Sequence, residues 1–136
     1  MRIGELGQRV GVTTRTLRHY EALGLIRATR DGNGHRTYDE SDVRAVQEIR
    51  SLVDLGFALA ETKPFVDCLR SGHDLAGVCA DSIAVYRRKL AEVDDYLERM
   101  QSVRRELQDQ LDVALLTRAA GPPQCELTSH PAAPAG

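Results

Sequence analysis

The chain has 136 residues, of which 28% are charged and only 4% are aromatic, and it contains no tryptophan. This length suits one compact domain with an appendage, and the scarcity of aromatic residues argues against the thick core of a large enzyme. No run approaches the roughly 20 apolar residues that a membrane span requires, and the first residues do not resemble a signal peptide. These features predict a cytoplasmic protein with no membrane partner.

The charge is distributed unevenly along the chain. The formal net charge is −2, yet residues 1–36 contain seven arginines and only three acidic residues, while the remainder has an acidic excess. Affinity for nucleic acids depends on basic side chains that neutralise phosphates. The N-terminal part therefore has the charge that DNA binding needs, and the acidic part is predicted to have a different role.

Two short helices are predicted at the start of the chain. Apolar residues at helical spacing predict the first over residues 3–10, and Gly11 ends it. Thr13 is a favourable N-cap for the second helix, which ends before Gly24. Two short helices joined by a tight glycine-containing turn are typical of a helix-turn-helix, although any helical hairpin can share this pattern.

A hairpin is predicted over residues 27–38. Its tip, Asp31–Gly34, is rich in residues that tolerate positive φ angles. A short hairpin that follows a helix-turn-helix is interpreted as a wing.

Two further helices are predicted after the wing. Asp39 is an N-cap with Asp42 three residues later, in the manner of a capping box, and this helix runs to Gly56. Another helix is predicted over residues 59–69, with Pro64 tolerated near its first turn.

The longest pattern in the chain begins at Ile83, where apolar residues recur at alternating steps of three and four and are interrupted at Arg104. A helix of some 35 residues would span roughly 50 Å, too long to bury against so small a body. Pairing with a second copy in a coiled coil is therefore predicted; an intramolecular hairpin is the alternative, but no other segment is long enough to cover the stripe. The predicted dimerisation residues are Leu90, Val93, Leu97, Met100, Leu107 and Leu111.

These elements predict four regions. Residues 1–70 form a winged helix-turn-helix DNA-binding domain with a second helical pair, and residues 71–80 form a linker or hinge. Residues 81–117 form the dimerisation helix. The proline-rich residues 118–136 form a disordered tail.

Arg15 and Arg18 are three residues apart on the second helix and share a face, which suits contacts with a DNA groove or backbone. Arginine can bind guanine in bidentate fashion or clamp phosphate, and the spacing does not distinguish the two. The alternative is that both are solvated helix charges paired with an acid such as Glu21.

Several motifs in the first half of the chain resemble the MerR family of bacterial transcription regulators. The resemblance covers roughly residues 1–69, and the following helix matches the family in layout. It implies a mainly α fold, in which a winged helix-turn-helix is followed by a long antiparallel coiled-coil dimerisation helix. The motifs are Ile3-Gly4-Glu5-Leu6, Gly11-Val12-Thr13, Thr16-Leu17-Arg18-His19-Tyr20-Glu21, Gly24-Leu25-Ile26 and Gly34-His35-Arg36-Thr37-Tyr38.

The resemblance also implies a function. Members of the family bind promoter DNA as homodimers, act with RNA polymerase, and activate by bending and untwisting the DNA between their two contacts. His19 and His35 stand where the family often has tyrosine, and a histidine can still donate a hydrogen bond to phosphate. The predicted DNA contacts are Thr13, Arg15, Arg18, His19, Tyr20, Arg36 and Tyr38.

Two other classes of function fit the sequence less well. An enzyme is disfavoured because there is no Gly-rich phosphate loop, no paired carboxylates in a pocket-like context and no supported Ser/His/Asp arrangement. A coiled-coil adaptor with a basic head is the other alternative, but an adaptor has no need of a wing.

The odd number of cysteines argues against a disulfide framework and leaves thiol or metal chemistry open. Family members place an effector site near the start of the long helix and complete it with residues after that helix, which implies Cys79 and Cys125. The helix dipole favours a thiolate at Cys79. Cys68 is interpreted as a small core residue, and His73 and His130 as unliganded. The cofactor is left open: a thiolate-bound metal ion such as zinc or an oxidant is one hypothesis, and an organic effector or no effector is the alternative.

Overall fold

The computed structural model describes residues 1–121 and 124–126 of the chain. The mainly α fold predicted from the sequence is confirmed, and the chain divides into two compact units, Met1–Leu90 and Ala91–Gly136. The elements in chain order are α1 (Ile3–Val10), α2 (Thr14–Ala22), β1 (Thr29–Arg30), β2 (Arg36–Thr37), α3 (Glu40–Asp54), a 3-10 turn (Leu59–Thr62), α4 (Lys63–Arg70), α5 (Ala80–Ala119) and a second 3-10 turn (Gln124–Glu126).

The turn between α1 and α2 depends on two glycines. Gly11 has a φ of 68° in the left-handed region, and its amide donates to the carbonyl of Gly7, which ends α1. A Cβ atom at Gly7 would lie 2.6 Å from the carbonyl oxygen of Val12, so only glycine permits this close approach. The hydroxyl of Thr13 then accepts from the amide of Thr16 at 3.2 Å and caps α2, as predicted.

The predicted hairpin is present, with only two residues in each strand. β1 pairs with β2 in antiparallel register. At its tip, the Asp31 carboxylate accepts hydrogen bonds from the amides of Asn33 and His35, each at 2.9 Å. These bonds, that from His35 above all, lower the pKa of Asp31. The ionised carboxylate therefore holds the turn in shape.

A buried ion pair joins three parts of the first unit. The predicted capping box at the start of α3 is confirmed: Asp39 caps the helix, and the Asp42 carboxylate accepts from the Asp39 amide at 2.9 Å. Asp42 also accepts from Nη2 of Arg70, at the end of α4, at 3.3 Å. The same Nη2 lies 3.4 Å from the Leu25 carbonyl oxygen, to which it donates. The pair thus ties α4 to α3 and to the segment after α2.

The single helix predicted over residues 59–69 is corrected by the structure. Residues Leu59–Thr62 form a 3-10 turn, and α4 begins at Lys63 with Pro64 in its first turn. Proline has no amide hydrogen and is favoured at the first positions of a helix, so Pro64 marks a start and not a continuation.

A second core packs under α4. Phe65 is fully buried between Phe57 and Tyr86, with ring centroids 5.8 and 4.9 Å away in edge-to-face geometry. Ala76 is also buried in this core. The predicted linker, residues 71–80, is therefore anchored to the first unit.

Helix α5 extends the predicted dimerisation helix, residues 81–117, by a few residues. All six predicted dimerisation residues have large apolar side chains exposed; Leu97 is 53% and Leu107 62% exposed. Arg104, which interrupts the stripe, is exposed too. Among the described residues, no helix is long and apolar enough to cross a membrane. Residues 122–123 and 127–136 of the predicted disordered tail lie outside the described residues.

We expect Asp42→Ala to lower the free energy of unfolding by about 2–4 kcal/mol, because it leaves the partly buried Arg70 guanidinium without its carboxylate and removes a bond to the start of α3. Urea denaturation of the folded chain measures this. Asp67→Ala is the matched control, since it removes an exposed pair with Lys63 and should change stability by less than about 0.5 kcal/mol. Equal effects for the two variants would show that the Asp42–Arg70 pair does not stabilise the unit.

Candidate DNA-binding surface and cysteine site

Helix α2 presents one polar and one apolar face. Arg15, Arg18 and His19 are exposed. Leu17 and Tyr20 are buried in the first core, a cluster of apolar side chains from α1, α2, α3 and α4 and the segments after α2 and β2 that includes Leu6, Leu25, Tyr38, Ile49 and Val66. This separation follows from the helical period, which places residues three or four apart on the same side. The buried residues fix α2 against the unit and leave its basic side chains facing solvent.

A basic cleft lies between the start of α1, helix α2 and strand β2. It has a volume of about 340 Å³, and its lining includes Arg2, Arg18 and Arg36. Arg36 is paired with Glu21 at 3.0 Å and Arg2 lies 4.0 Å from Asp31, so among the described residues Arg18 is the cleft arginine without an ion pair, and it is the guanidinium best placed to bind an anion such as a backbone phosphate. Sequence reasoning did not identify Arg2 as part of this surface, although the excess of arginine near the N-terminus was a signal for it.

Glu21 connects the wing to α2. Its Oε2 accepts from Nη1 of Arg36 at 3.0 Å and from the Tyr38 hydroxyl at 3.4 Å. The alternative that Arg15 and Arg18 pair with Glu21 is therefore wrong. Within residues 1–121 and 124–126, no ion pair joins either arginine to an acid, so both guanidinium groups face solvent without a competing carboxylate.

Two of the residues predicted to contact DNA, Tyr20 and Tyr38, are largely buried. Tyr20 is 8% and Tyr38 3% exposed, and both belong to the first core. Burial raises the pKa of both phenols, and for Tyr38 the Glu21 carboxylate adds to this rise. The two rings pack in the core on the buried side of α2 and of the wing. Thr13, Arg15, Arg18, His19 and Arg36 are exposed and remain candidates for contact with DNA.

A disulfide joins Cys68, on α4, to Cys79, the residue before α5, with the two Cα atoms 5.8 Å apart. The odd number of cysteines argues against a disulfide framework, but two of the three are paired in this structure. The pairing depends on tertiary structure. The segment between the two cysteines packs onto the second core through the buried Ala76, and Cys79 at the start of α5 thereby lies next to Cys68 on α4. Cys68 is buried, as predicted for a core residue, and it is also one half of this disulfide.

His73 completes a cluster with these two cysteines. One ligand atom from each of Cys68, His73 and Cys79 lies within 4.8 Å of the others. A surface pocket of about 450 Å³ lies against the disulfide and is also lined by Asp67 and Asp81. The interpretation of His73 as an unliganded loop residue missed this arrangement, because the loop conformation determines it.

Cys125, the other predicted effector residue, lies in the second 3-10 turn, is exposed, and is outside the disulfide. His130 lies outside the described residues. The structure therefore brings Cys79 together with Cys68 and His73.

The two short helices, the wing and the shared basic surface define a winged helix-turn-helix DNA-binding protein. The sequence matches the profile described as MerR HTH family regulatory protein over residues 1–67 and that described as MerR, DNA binding over residues 43–110. The HTH-type transcriptional regulator HmrR of Rhizobium leguminosarum bv. viciae is 35% identical, over 79% of this chain and 81% of HmrR. The chain belongs to the MerR family of regulatory proteins.

Two further known proteins are similar to this chain. Nodulation protein NolA of Bradyrhizobium sp. (strain NC92) is 41% identical over 73% of this chain, which spans only 42% of the length of NolA. The transcription regulator PbrR691 from Ralstonia metallidurans CH34, whose crystal structure is a complex with lead(II), is 30% identical with a TM-score of 0.63. That alignment covers 80% of this chain and 83% of PbrR691.

We expect reduction of the disulfide to lower the free energy of unfolding by about 3 kcal/mol. The bond links two residues that are 11 positions apart in the sequence, and it therefore restricts the conformations of the unfolded chain. Denaturation with and without reductant measures this. Cys125→Ser should keep the dependence on reductant, and Cys68→Ser should lose it. A wild-type protein equally stable under both conditions would refute a stabilising disulfide.

Proposed function

We propose that the chain binds a palindromic promoter element as a homodimer and regulates transcription by distorting the DNA. The observation that carries this proposal is the exposed basic face of α2, continuous with a cleft in which arginines from α2, β2 and the N-terminal segment meet. DNA from upstream of the protein's own gene is the duplex with which to test it.

Helix α2 is the proposed recognition helix. Arg18 and Arg36 share the cleft and are assigned to the phosphate backbone, because converging guanidinium groups form charge-assisted bonds to phosphate oxygens. Arg15 lies outside the cleft lining and is assigned to base edges in the major groove, with Thr13 and His19 beside it. The wing then contacts the backbone flanking the groove.

The apolar stripe of α5 is the proposed dimer surface. Its large side chains are exposed at successive helical turns, which is the arrangement that a second helix covers in a coiled coil. A dimer places two recognition helices on two half-sites, so a palindrome matches the symmetry of the protein.

Simultaneous binding of the two subunits to the two half-sites also provides the free energy for deforming the DNA between them. Bending a site of this size costs on the order of 1–6 kcal/mol, which phosphate contacts at both half-sites must offset. We propose that this distortion realigns promoter elements for RNA polymerase.

An effector response is assigned to the cysteine site. PbrR691, similar to this chain over most of its length, is known in complex with lead(II). Thiolates are the ligands that soft metal ions prefer. A response to a metal ion or an oxidant at Cys79 is therefore favoured over an organic effector or none.

Arg18→Ala is expected to weaken binding by about 1–2 kcal/mol on the operator and on an unrelated duplex alike, and to reduce the slope of log affinity against log salt concentration by about one. Fluorescence anisotropy over a salt series measures both. Arg105→Ala removes the same charge from α5 and should change neither quantity. Unchanged affinity for Arg18→Ala would contradict the assignment of the cleft, and a loss confined to the operator would contradict a phosphate contact.

Leu97→Asp is expected to give a monomer and to weaken binding to a full palindrome at least about 100-fold, since it places a charge in a surface that the partner must cover. Sedimentation equilibrium and a mobility-shift assay measure the two effects. Ser102→Asp adds the same charge about 140° around the helix and should leave both unchanged. A monomeric Leu97→Asp variant with full operator affinity would separate dimerisation from DNA binding and refute the proposal.

A further inference from the structure

We propose that Cys68, His73 and Cys79 of one chain form a single site with two mutually exclusive states. The dithiol state binds one soft or borderline divalent metal ion, such as Zn²⁺ or Cd²⁺, and the disulfide state does not bind it. This inference deepens the proposed effector response and rests on the proposed function only for its consequence in transcription.

The donor set fits such an ion. Two cysteine sulfurs and one imidazole nitrogen lie within 4.8 Å of one another, and zinc binds thiolate sulfur at about 2.3 Å and imidazole nitrogen at about 2.0–2.1 Å. Three protein ligands leave a fourth tetrahedral position for water. All three residues belong to the first unit, so one chain supplies the whole donor set.

The site is accessible from one side. Cys68 is buried, Cys79 is half-buried and His73 is exposed. The pocket against the two sulfurs is lined by Asp67, Asp81 and Lys63, and Lys63 pairs with Asp67 at 3.1 Å, so one excess carboxylate adds negative charge near a cation. A metal ion or a small oxidant can therefore reach Cys79 from solvent.

The two states exclude each other for a chemical reason. A metal ion requires deprotonated thiolates, whereas both sulfurs of a disulfide are neutral and bonded to each other. A disulfide holds its sulfurs about 2.05 Å apart, but two thiolates on one tetrahedral zinc ion lie about 3.8 Å apart. The Cα atoms of Cys68 and Cys79 lie 5.8 Å apart, which is within the usual range for a disulfide. Because the bonded sulfurs cannot act as thiolate ligands, the disulfide must be reduced before a metal ion binds.

Hydrogen peroxide is a sufficient oxidant for the interconversion. The more accessible Cys79 thiolate attacks one peroxide oxygen, which breaks the O–O bond, forms a sulfenic acid and releases hydroxide. The Cys68 thiolate then attacks the Cys79 sulfur and displaces the second hydroxide. The two thiols lose two electrons and two protons in total, and the peroxide is reduced to two water molecules.

Titration of the reduced full-length chain with CdCl₂ tests the metal-binding state. We expect one Cd²⁺ per chain with a thiolate-to-metal charge-transfer band. Cys79→Ser and Cys68→Ser should each weaken binding on the order of 100-fold, and His73→Ala at least about 10-fold. Circular dichroism identifies any variant that fails to fold, and Cys79→Ser, at the less buried position, keeps the test independent of a failure of Cys68→Ser. Cys125→Ser is the matched control and should bind as wild type does.

Treatment with hydrogen peroxide tests the exclusive state. The Cys125→Ser chain, which has no third thiol, should lose the mass of two hydrogen atoms, yield a Cys68–Cys79 linked peptide on proteolysis, and lose Cd²⁺ binding until it is reduced again. Prior loading with Cd²⁺ should slow this oxidation.

Three results would overturn the inference. The reduced wild type would bind Cd²⁺ no tighter than Cys68→Ser/Cys79→Ser, Cys125→Ser would abolish Cd²⁺ binding, or the oxidised chain would bind Cd²⁺ as well as the reduced one. DNA affinity of the same preparations is measured separately, so that loss of DNA binding with intact metal binding would refute only the proposed function.

Discussion

The exposure of apolar side chains along α5 to water is the physical constraint on which the proposed dimer, and with it the proposed DNA binding, depends. Covering one leucine side chain is worth about 1.5–3 kcal/mol, and α5 presents Leu97, Leu107 and others at half exposure or more. Most helices in proteins are stabilised by tertiary packing of an apolar face and not by propensity alone. A second α5 would supply that packing, and it would also bring two DNA-binding surfaces into one particle.

The DNA-binding surface depends on the core beneath it. Leu17 and Tyr20 hold α2 from its buried side, and the ion pair between Glu21 and Arg36 fixes the wing to the same helix. The two elements proposed to contact DNA are therefore ordered relative to each other before DNA binds. Such preorganisation lowers the conformational entropy lost on association. Tyr38, although buried, contributes by its contact with Glu21.

The features that were predicted correctly depend on residues close together in sequence, such as the cap at Thr13, the capping box at Asp39 and the hairpin tip. The features that were missed depend on packing. Cys68 and Cys79 meet only because the segment between them folds onto the second core, which no local pattern reveals. The family motif includes Tyr20 and Tyr38 beside the exposed arginines, but a motif does not distinguish a side chain that supports a surface from one that lies on it.

The number of chains bound per duplex is the most direct test of whether two chains dimerise and bind one palindromic site. Native mass spectrometry of the protein with a palindromic duplex, and with a duplex that carries one half-site, measures it. For a homodimer that binds both half-sites, we expect a free protein of twice the chain mass, two chains on the palindrome, and binding to the half-site duplex at least about 100-fold weaker. A free monomer that binds one chain per duplex, with equal affinity for both DNAs, would contradict this expectation.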